Sequence, residues 1–155
     1  MALVIEGQER IDAPIGRVWE ALNDPEMLKQ CIPGCQSLEK TGDDTMAATV
    51  VLKIGPIKAT FQGAVTLSNL NPPHSYTISG EGKGGIAGFA KGGARVALTD
   101  PPEGEPGCTL NYDVEANVGG KIAQLGSRLI TSTSKKLAGE FFSTFNEKVS
   151  GRETQ

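Results

Sequence analysis

The segment that decides the fold is CTLNYDVEANVGGKIAQLGSRLITSTSKKLAGEFFSTF, residues 108–145. Its first part alternates apolar and polar residues, which is typical of a strand with one buried side and one side in water. After Gly119-Gly120 the apolar residues recur every three or four positions as far as Phe145, which predicts one long amphipathic helix. The segment therefore predicts an antiparallel strand followed by a helix that the apolar side of the sheet can cover.

The sequence before this segment supplies the rest of the sheet. Residues 2–11 mix β-branched and polar residues and predict a first strand, and Pro14 and Asp24-Pro25 mark the starts of two short helices. From Ser37 to Val118 the residues alternate again, with turn residues at 41–44, 55–56, 71–73 and 100–102. We predict an α+β helix-grip (START-like) fold, in which a curved antiparallel sheet of six to seven strands wraps around a long C-terminal helix.

Length and composition set the domain organisation. A chain of 155 residues fits one ligand-binding domain, residues 1–150, followed by a polar tail, residues 151–155. Such a domain buries about 70% of the surface of its unfolded chain, which is enough for a core with a pocket. The first residues lack the basic leader and cleavage site of a signal peptide, and no window approaches the roughly 18 apolar residues of a spanning helix.

Charge and cysteine content exclude some partners. The formal net charge is −3, and no basic groove is evident, so nucleic acid is not an expected partner. The three cysteines are an odd number, which suits the reducing cytoplasm better than a secreted disulfide scaffold.

Gly80, Gly82 and Gly85 have the G-x-G-x-x-G spacing of a dinucleotide site. Such a site needs a helix directly after the glycines, so that the helix N-terminus meets the pyrophosphate. Residues 87–98 show no helical period, so we reject a nucleotide site and predict two neighbouring strands joined by a mobile turn at residues 82–85.

The same glycine-rich stretch is interpreted as a cavity gate. Glycine within a strand marks a bulge, a bend or the close approach of another group. We therefore predict that this segment bends the sheet over a cavity, with Gly84, Gly85 and Gly88 controlling its mouth.

Cys31 and Cys35 raise the question of zinc or redox chemistry. A structural zinc site needs four ligands, and only Cys108 and His74 remain, in distant segments. Pro33-Gly34 between the two cysteines is explained by a turn, although a reversible disulfide stays open. We predict no metal site.

No catalytic set can be assembled from the sequence. His74 follows two prolines in an expected surface loop, and Asp113 and Glu115 fall on the polar side of their strand. We predict no catalytic residues and a protein that is not an enzyme, while a cyclase or hydrolase on the same fold remains an alternative.

Small residues along the long helix predict a cavity beneath the sheet. These residues are Gly126, Ser127, Ser132, Thr133, Ser134, Ala138 and Gly139. The alternative is that aromatic side chains fill the space. The predicted cavity residues are Phe61, Phe89, Leu110, Tyr112, Val114, Leu125, Leu129, Thr133, Leu137 and Phe141.

Lys121, Arg128 and Lys135 are seven residues apart, which places them along one flank of the predicted helix. This flank suits contact with anionic lipid or with an acidic partner, and an ordinary solvated face is the alternative.

Several motifs carry a family resemblance. They are Cys31-Ile32-Pro33-Gly34-Cys35, Gly55-Pro56-Ile57-Lys58-Ala59, the segment from Gly82 to Phe89 and the segment from Val118 to Gly126. Together with the order of elements, they resemble the G-subunit family of carbon monoxide dehydrogenase, which belongs to the START/polyketide-cyclase helix-grip superfamily. The resemblance covers roughly residues 3–149.

The resemblance implies a function that the residues alone do not show. Members are accessory proteins of molybdenum-containing carbon monoxide dehydrogenases and related hydroxylases, linked to attachment at the inner face of the cytoplasmic membrane. The family implies a respiratory quinone, or another apolar lipid-like ligand, in the cavity and no covalent cofactor. The hydroxyl of Tyr112 or Thr133 would then be available to a ring carbonyl of the quinone.

Alternatives to the carrier remain. Relatives can continue into an amphipathic or apolar membrane-binding tail, whereas the sequence here ends at Gln155. Either such a tail is not part of this sequence or this member docks differently. The chain would otherwise be an adaptor that recruits the enzyme to the membrane without needing a ligand.

Overall fold

The computed structural model describes residues 2–100 and 107–150. One sheet contains β1 (Ala2–Ile11), β2 (Cys35–Lys40), β3 (Thr45–Ile54), β4 (Ile57–Asn71), β5 (Ser75–Lys83), β6 (Phe89–Thr99) and β7 (Cys108–Gly119). The helices are α1 (Ile15–Leu22), α2 (Pro25–Cys31) and α3 (Ser127–Ser150), and two short 3-10 turns span Gly85–Ala87 and Lys121–Leu125. The predicted turn at 100–102 and the predicted tail at 151–155 lie mostly or wholly outside the described residues.

The sheet has the strand order β1-β7-β6-β5-β4-β3-β2, and each neighbouring pair is antiparallel. Helix α3 contacts β1 at one edge of this order and β3 near the other edge. One helix can touch strands so far apart in the order only if the sheet curves around it. The predicted α+β helix-grip fold is confirmed.

The start of α2 shows why the chain turns there. The side chain of Asp24 accepts a hydrogen bond of 3.0 Å from the backbone N–H of Glu26, and Pro25 occupies the first turn. The cap satisfies a donor that has no partner inside the helix, and proline has no N–H to satisfy at this position. This is the helix start that the sequence predicts.

The predicted long C-terminal helix is confirmed as α3, but it begins later than the apolar period indicates. Gly120 and Gly126 have φ angles of +82° and +92°, a backbone conformation that interrupts a right-handed helix. The chain forms a separate 3-10 turn between the two glycines, and α3 begins only at Ser127. The apolar period continues across the break because Ile122 of the turn and Ile130 of α3 are both buried in the same core.

Two hydrophobic clusters hold the two ends of the molecule. One joins α1, α2 and the C-terminal end of α3 to the sheet; it includes Ile11, Val18, Leu110, Phe145 and Val149. The other joins both 3-10 turns and the N-terminal end of α3 to the opposite end of the sheet; it includes Leu3, Phe61, Val118, Ile122 and Ile130. The space between the two clusters is where the candidate site lies.

Candidate functional site

Two adjoining cavities lie between the concave face of the sheet and α3. The first has a volume of about 490 Å³ and the second about 360 Å³. Both are lined by Ile32, Ala48 and Val65, so they meet in the middle of the molecule. Each is within the size range of small-molecule sites in proteins, roughly 300–1,000 Å³.

The floor of the first cavity consists of glycines on two neighbouring strands. Gly80 and Gly82 alternate along β5 on the same face as Ile78, and Gly63 of β4 is the cross-strand partner of Gly82. A Cβ atom added to Gly82 would meet no other heavy atom within 4 Å. The cavity therefore exists in part because side chains are missing from the concave face.

Helix α3 supplies the opposite wall of both cavities. Thr133, Ser134 and Leu137 line the first cavity, and Ala138 and Phe141 line the second. The remaining small residues that were expected to create volume are exposed: Gly126, Ser127, Ser132 and Gly139. The sequence prediction thus missed the glycines of the sheet, although the two-residue spacing of Gly80 and Gly82 already placed both on one face.

Most of the predicted cavity residues do line the cavities. Phe61, Thr133 and Leu137 line the first cavity. Leu110, Tyr112, Val114 and Phe141 line the second. Aromatic side chains form parts of these walls and leave the space between them open. Whether these residues bind a ligand stays a prediction.

Three predicted cavity residues lie elsewhere. Phe89 is on the convex face of the sheet, 44% exposed, with its ring over Gly119, its cross-strand partner on β7. Leu125 belongs to the 3-10 turn before α3 and lines neither cavity. Leu129 lines neither cavity because its side chain packs against Gly55 in the β3–β4 turn.

The Tyr112 hydroxyl is not placed as the sequence suggested. It lies over Gly7, the cross-strand partner of Tyr112 on β1, where any larger residue would collide with it. The ring of Tyr112 stacks on Phe142 with 5.2 Å between the ring centroids. Burial, and next the nearby Glu9 carboxylate, raises the pKa of Tyr112. The hydroxyls of Thr133 and Ser134 are therefore the better candidates for a polar contact with a ligand in the first cavity.

Tyr76 brings a hydroxyl into the wall of the second cavity. It is 4% exposed and meets Trp19 edge to face, with ring centroids 5.3 Å apart. Burial raises the pKa of Tyr76 far above its usual value, because a phenolate would lose its hydration there.

Alkaline pH should therefore destabilise the protein through Tyr76. Below pH 10 the phenol is neutral in both states; above pH 10 it ionises in the unfolded chain but stays protonated in the fold, so stability is lost as pH rises. For this group alone the free energy of unfolding should fall by about 1.4 kcal/mol per pH unit. Urea unfolding at pH 9 and pH 11 should show a steeper loss in the wild type than in Tyr76→Phe. An equal loss in the two proteins would contradict the raised pKa of Tyr76 in the folded state.

The predicted gate glycines form a tight turn between β5 and β6. The backbone N–H of Gly84 donates to the carbonyl of Gly88 at 2.8 Å, and the N–H of Gly88 donates to the carbonyl of Gly85 at 3.1 Å. The predicted pair of neighbouring strands is confirmed, but the turn lies at residues 84–88 rather than 82–85, because Gly82 and Lys83 still belong to β5. None of the three glycines lines either cavity, but Gly84 packs against the ring of Phe61, which does. Gating itself stays a prediction.

The rejected nucleotide site is also absent from the fold of this segment. After Gly85 the chain forms a single 3-10 turn and then strand β6, so no α-helix N-terminus follows the glycines. The G-x-G-x-x-G spacing arises from a cavity floor, at Gly80 and Gly82, followed by a turn at Gly85.

The motif around Pro33-Gly34 is a turn, as predicted. Gly34 has a φ of +77°, and a Cβ atom there would collide with the carbonyl oxygen of Val51. Cys31 is buried and Cys35 is half-buried, and no disulfide joins them. Burial raises the pKa of the Cys35 thiol despite the opposing effect of Lys29, so this thiol is a weak nucleophile.

The three predicted cations do not form one flank of a helix. Arg128 and Lys135 are exposed on α3, whereas Lys121 lies in the preceding 3-10 turn, beyond the break at Gly126. None of the helices in the described ranges has the length and apolar character needed to cross a bilayer.

Comparison with protein families gives a match over most of the chain. The family described as the G subunit of carbon monoxide dehydrogenase (CoxG) matches residues 7–150. The chain belongs to the CoxG family. This membership and the helix-grip fold suggest a ligand-binding accessory role.

Solved structures support the fold of this CoxG-family chain. A conserved protein from Geobacillus kaustophilus has a TM-score of 0.87 at 29% identity over 96% of each chain. A protein from Rhizobium leguminosarum has a TM-score of 0.71 at 16% identity, over 96% of this chain and 95% of that one. The Zhui aromatase/cyclase from a Streptomyces species has a TM-score of 0.68 at 10% identity, over 100% of this chain and 97% of that one. A comparison with curated proteins gives no match.

Proposed function

We propose that this CoxG-family chain is a non-enzymatic accessory protein of a molybdenum-containing carbon monoxide dehydrogenase or related hydroxylase. It would carry a respiratory quinone, or a similar apolar ligand, in the two adjoining cavities and work at the inner face of the cytoplasmic membrane. The family name supports the link to the dehydrogenase. The observation that carries the ligand assignment is the long apolar space between the sheet and α3.

The wall chemistry favours a carrier over an enzyme. Among the described residues that line the two cavities, the ionisable ones are Glu81, Tyr76 and Tyr112. Glu81 alternates with Gly80 and Gly82, so its carboxylate points to the convex face, where it pairs with Lys83. Both tyrosines have raised pKa values and stay protonated at neutral pH. A cyclase or hydrolase would need a positioned acid or base in this space.

The energetics of an isoprenoid ligand suit reversible carriage. Burying one isoprene unit of roughly 100 Å² contributes about 2.5 kcal/mol relative to water. Relative to a bilayer the same burial contributes almost nothing, because both environments are apolar. Recognition must then come from the shape of the cavity and from a polar contact, for which Thr133 and Ser134 are placed in the first cavity.

Ligand analysis of the purified chain tests this proposal. We expect native mass spectrometry, or extraction into organic solvent, to find a quinone bound at one molecule per chain. Ligand-free protein should take up quinone from vesicles that contain it. Protein that is always empty and extracts no quinone from such vesicles would exclude the carrier function.

A further inference from the structure

Three chain segments meet at one end of the sheet. They are the β3–β4 turn with its flanking residues, 53–58, the β5–β6 turn, 83–89, and the connection from β7 to α3, 119–128. We call this surface the basic end. Gly88 lies directly against the backbone of Gly119 and Gly120, and the two 3-10 turns contact each other. The second and third segments are therefore fixed to one another.

An apolar side chain projects from the basic end. Ile86, at the tip of the β5–β6 turn, is 84% exposed and is the most exposed large apolar side chain of residues 2–100 and 107–150. Phe89 of the same segment is 44% exposed. The turn that carries Ile86 is held by backbone hydrogen bonds, so this side chain is presented to a partner rather than packed in the fold.

The charge near Ile86 is mostly positive. The exposed cations of the basic end are Lys53, Lys58, Lys83, Lys121 and Arg128. Residues 45–80, 82–99 and 116–139 contain no Asp or Glu, although the whole chain has a net charge of −3. Glu81, between the first two of these ranges, lies 3.6 Å from Lys83, so the cations of this end outnumber the one carboxylate paired with them.

The first cavity reaches this same end. Ile54 beside the β3–β4 turn and Ile122 of the second 3-10 turn both line it. The ring of Phe61, another lining residue, packs against Gly84 in the β5–β6 turn. Residues of the basic end thus form part of the wall of the first cavity or pack against it.

We propose that the basic end is a docking surface for an anionic lipid bilayer. Ile86 inserts between the lipid headgroups, and the five surrounding cations lie over the lipid phosphates. The inference deepens the proposed function and rests on it only for the identity of the ligand. It assigns the membrane contact to residues of the folded domain, at the end where the first cavity lies.

One observation and two physical arguments favour lipid over an acidic protein partner. An exposed isoleucine at an end of the sheet rich in exposed cations suits a membrane surface, where anionic phosphates lie above an apolar interior. A protein interface of standard size needs a broader, well-packed apolar centre. An apolar ligand that passes directly from lipid to the first cavity also avoids exposing its apolar surface to water, which is unfavourable.

Vesicle co-sedimentation at low salt tests the apolar contact. We expect the wild type to bind vesicles of phosphatidylglycerol and phosphatidylcholine, and to bind pure phosphatidylcholine much less. Ile86→Ser should weaken binding to the anionic vesicles by about tenfold or more, because the side chain no longer enters the interface. Leu70→Ser is the matched control, since Leu70 is 40% exposed on β4 at the opposite end of the sheet.

A second pair of variants tests the cations. Lys121→Gln should weaken binding to anionic vesicles about fivefold, the effect of one cation close to a charged membrane. Lys40→Gln removes an exposed lysine at the end of β2 that faces away from the basic end, and should bind as the wild type does. All four variants alter exposed side chains, and circular dichroism would confirm that each is folded.

Insertion can be observed directly and separately from ligand carriage. Emission from Ile86→Trp should be quenched by brominated lipids, whereas the native Trp19, packed on Tyr76, should not be. The vesicles contain no quinone, so binding is expected even if the chain carries none. Wild-type protein without a preference for anionic vesicles, or Ile86→Ser that binds them normally, would overturn the proposal. If the Ile86→Ser variant binds lipid normally but no longer binds a purified dehydrogenase, the surface would be assigned to a protein partner instead.

Discussion

Gly82→Phe should reduce the affinity for quinone on the order of a hundredfold while leaving the protein folded. The new side chain would project into the first cavity from its floor, where a Cβ atom meets nothing within 4 Å. Its cross-strand neighbours, Gly63 and Ala90, are small, so the ring can be accommodated without displacing a strand. A ligand would have to share this volume, at a cost of about 3 kcal/mol, which corresponds to about a hundredfold in affinity.

Matched variants separate blocking from a general effect of adding an aromatic ring. Gly139→Phe makes the same change on the exposed face of α3, where a Cβ atom is also free of contacts. It should bind quinone as the wild type does. Gly82→Ala adds one methyl group and should give a smaller loss than Gly82→Phe. Quinone titration followed by native mass spectrometry measures all three, and unchanged affinity in Gly82→Phe would place the ligand elsewhere.

The same variant distinguishes a carrier from an adaptor. If the chain carries quinone, Gly82→Phe should abolish its support of electron transfer from the dehydrogenase to membrane quinone. Vesicle binding should be unaffected, because Gly82 lies on the concave face and Ile86 and Lys121 remain available. A blocked, folded variant that still supports electron transfer would favour the ligand-independent adaptor.

The sheet was predictable from the sequence because apolar and polar residues alternate along the strands and typical turn residues separate one strand from the next. The late start of α3 was not, because the buried residues Ile122 and Ile130 preserve a helical period across the preceding 3-10 turn. The local signal was a pair of glycines, Gly120 and Gly126, and glycine permits a positive φ without requiring one. Hydrophobic periodicity indicates which side of a segment faces the core. It does not show whether the backbone forms one continuous helix.

The sequence predicted that a cavity exists, but it identified only some of the residues that line it. Small residues on α3 suggested unfilled volume, yet the open floor comes from Gly63, Gly80 and Gly82, whose juxtaposition depends on the register of β4 and β5. Phe89 was misplaced because a single residue of register decides the face of a strand. In the same register its neighbour Ala90 lines the cavity.

Phe145→Ala should lower the free energy of unfolding by about 3–5 kcal/mol. Phe145 is fully buried, and its ring stacks on Phe141 with 5.7 Å between centroids. The variant loses the burial of the ring and leaves a hole in a core that unites α1, α2 and α3 with the sheet. Since a domain of this kind has about 5–15 kcal/mol of stability, one such change leaves it marginally folded. Urea unfolding followed by circular dichroism measures the loss.

Phe89→Ala provides the control for the same chemical change. Its ring lies on the convex face and is 44% exposed, so the loss should be about 1–2 kcal/mol. The difference between the two variants depends on the register of β6, which places Phe89 outside and Ala90 inside. Equal losses would mean that Phe89 is packed inside the protein. A larger loss in Phe89→Ala would contradict both the assigned register and the cavity wall derived from it.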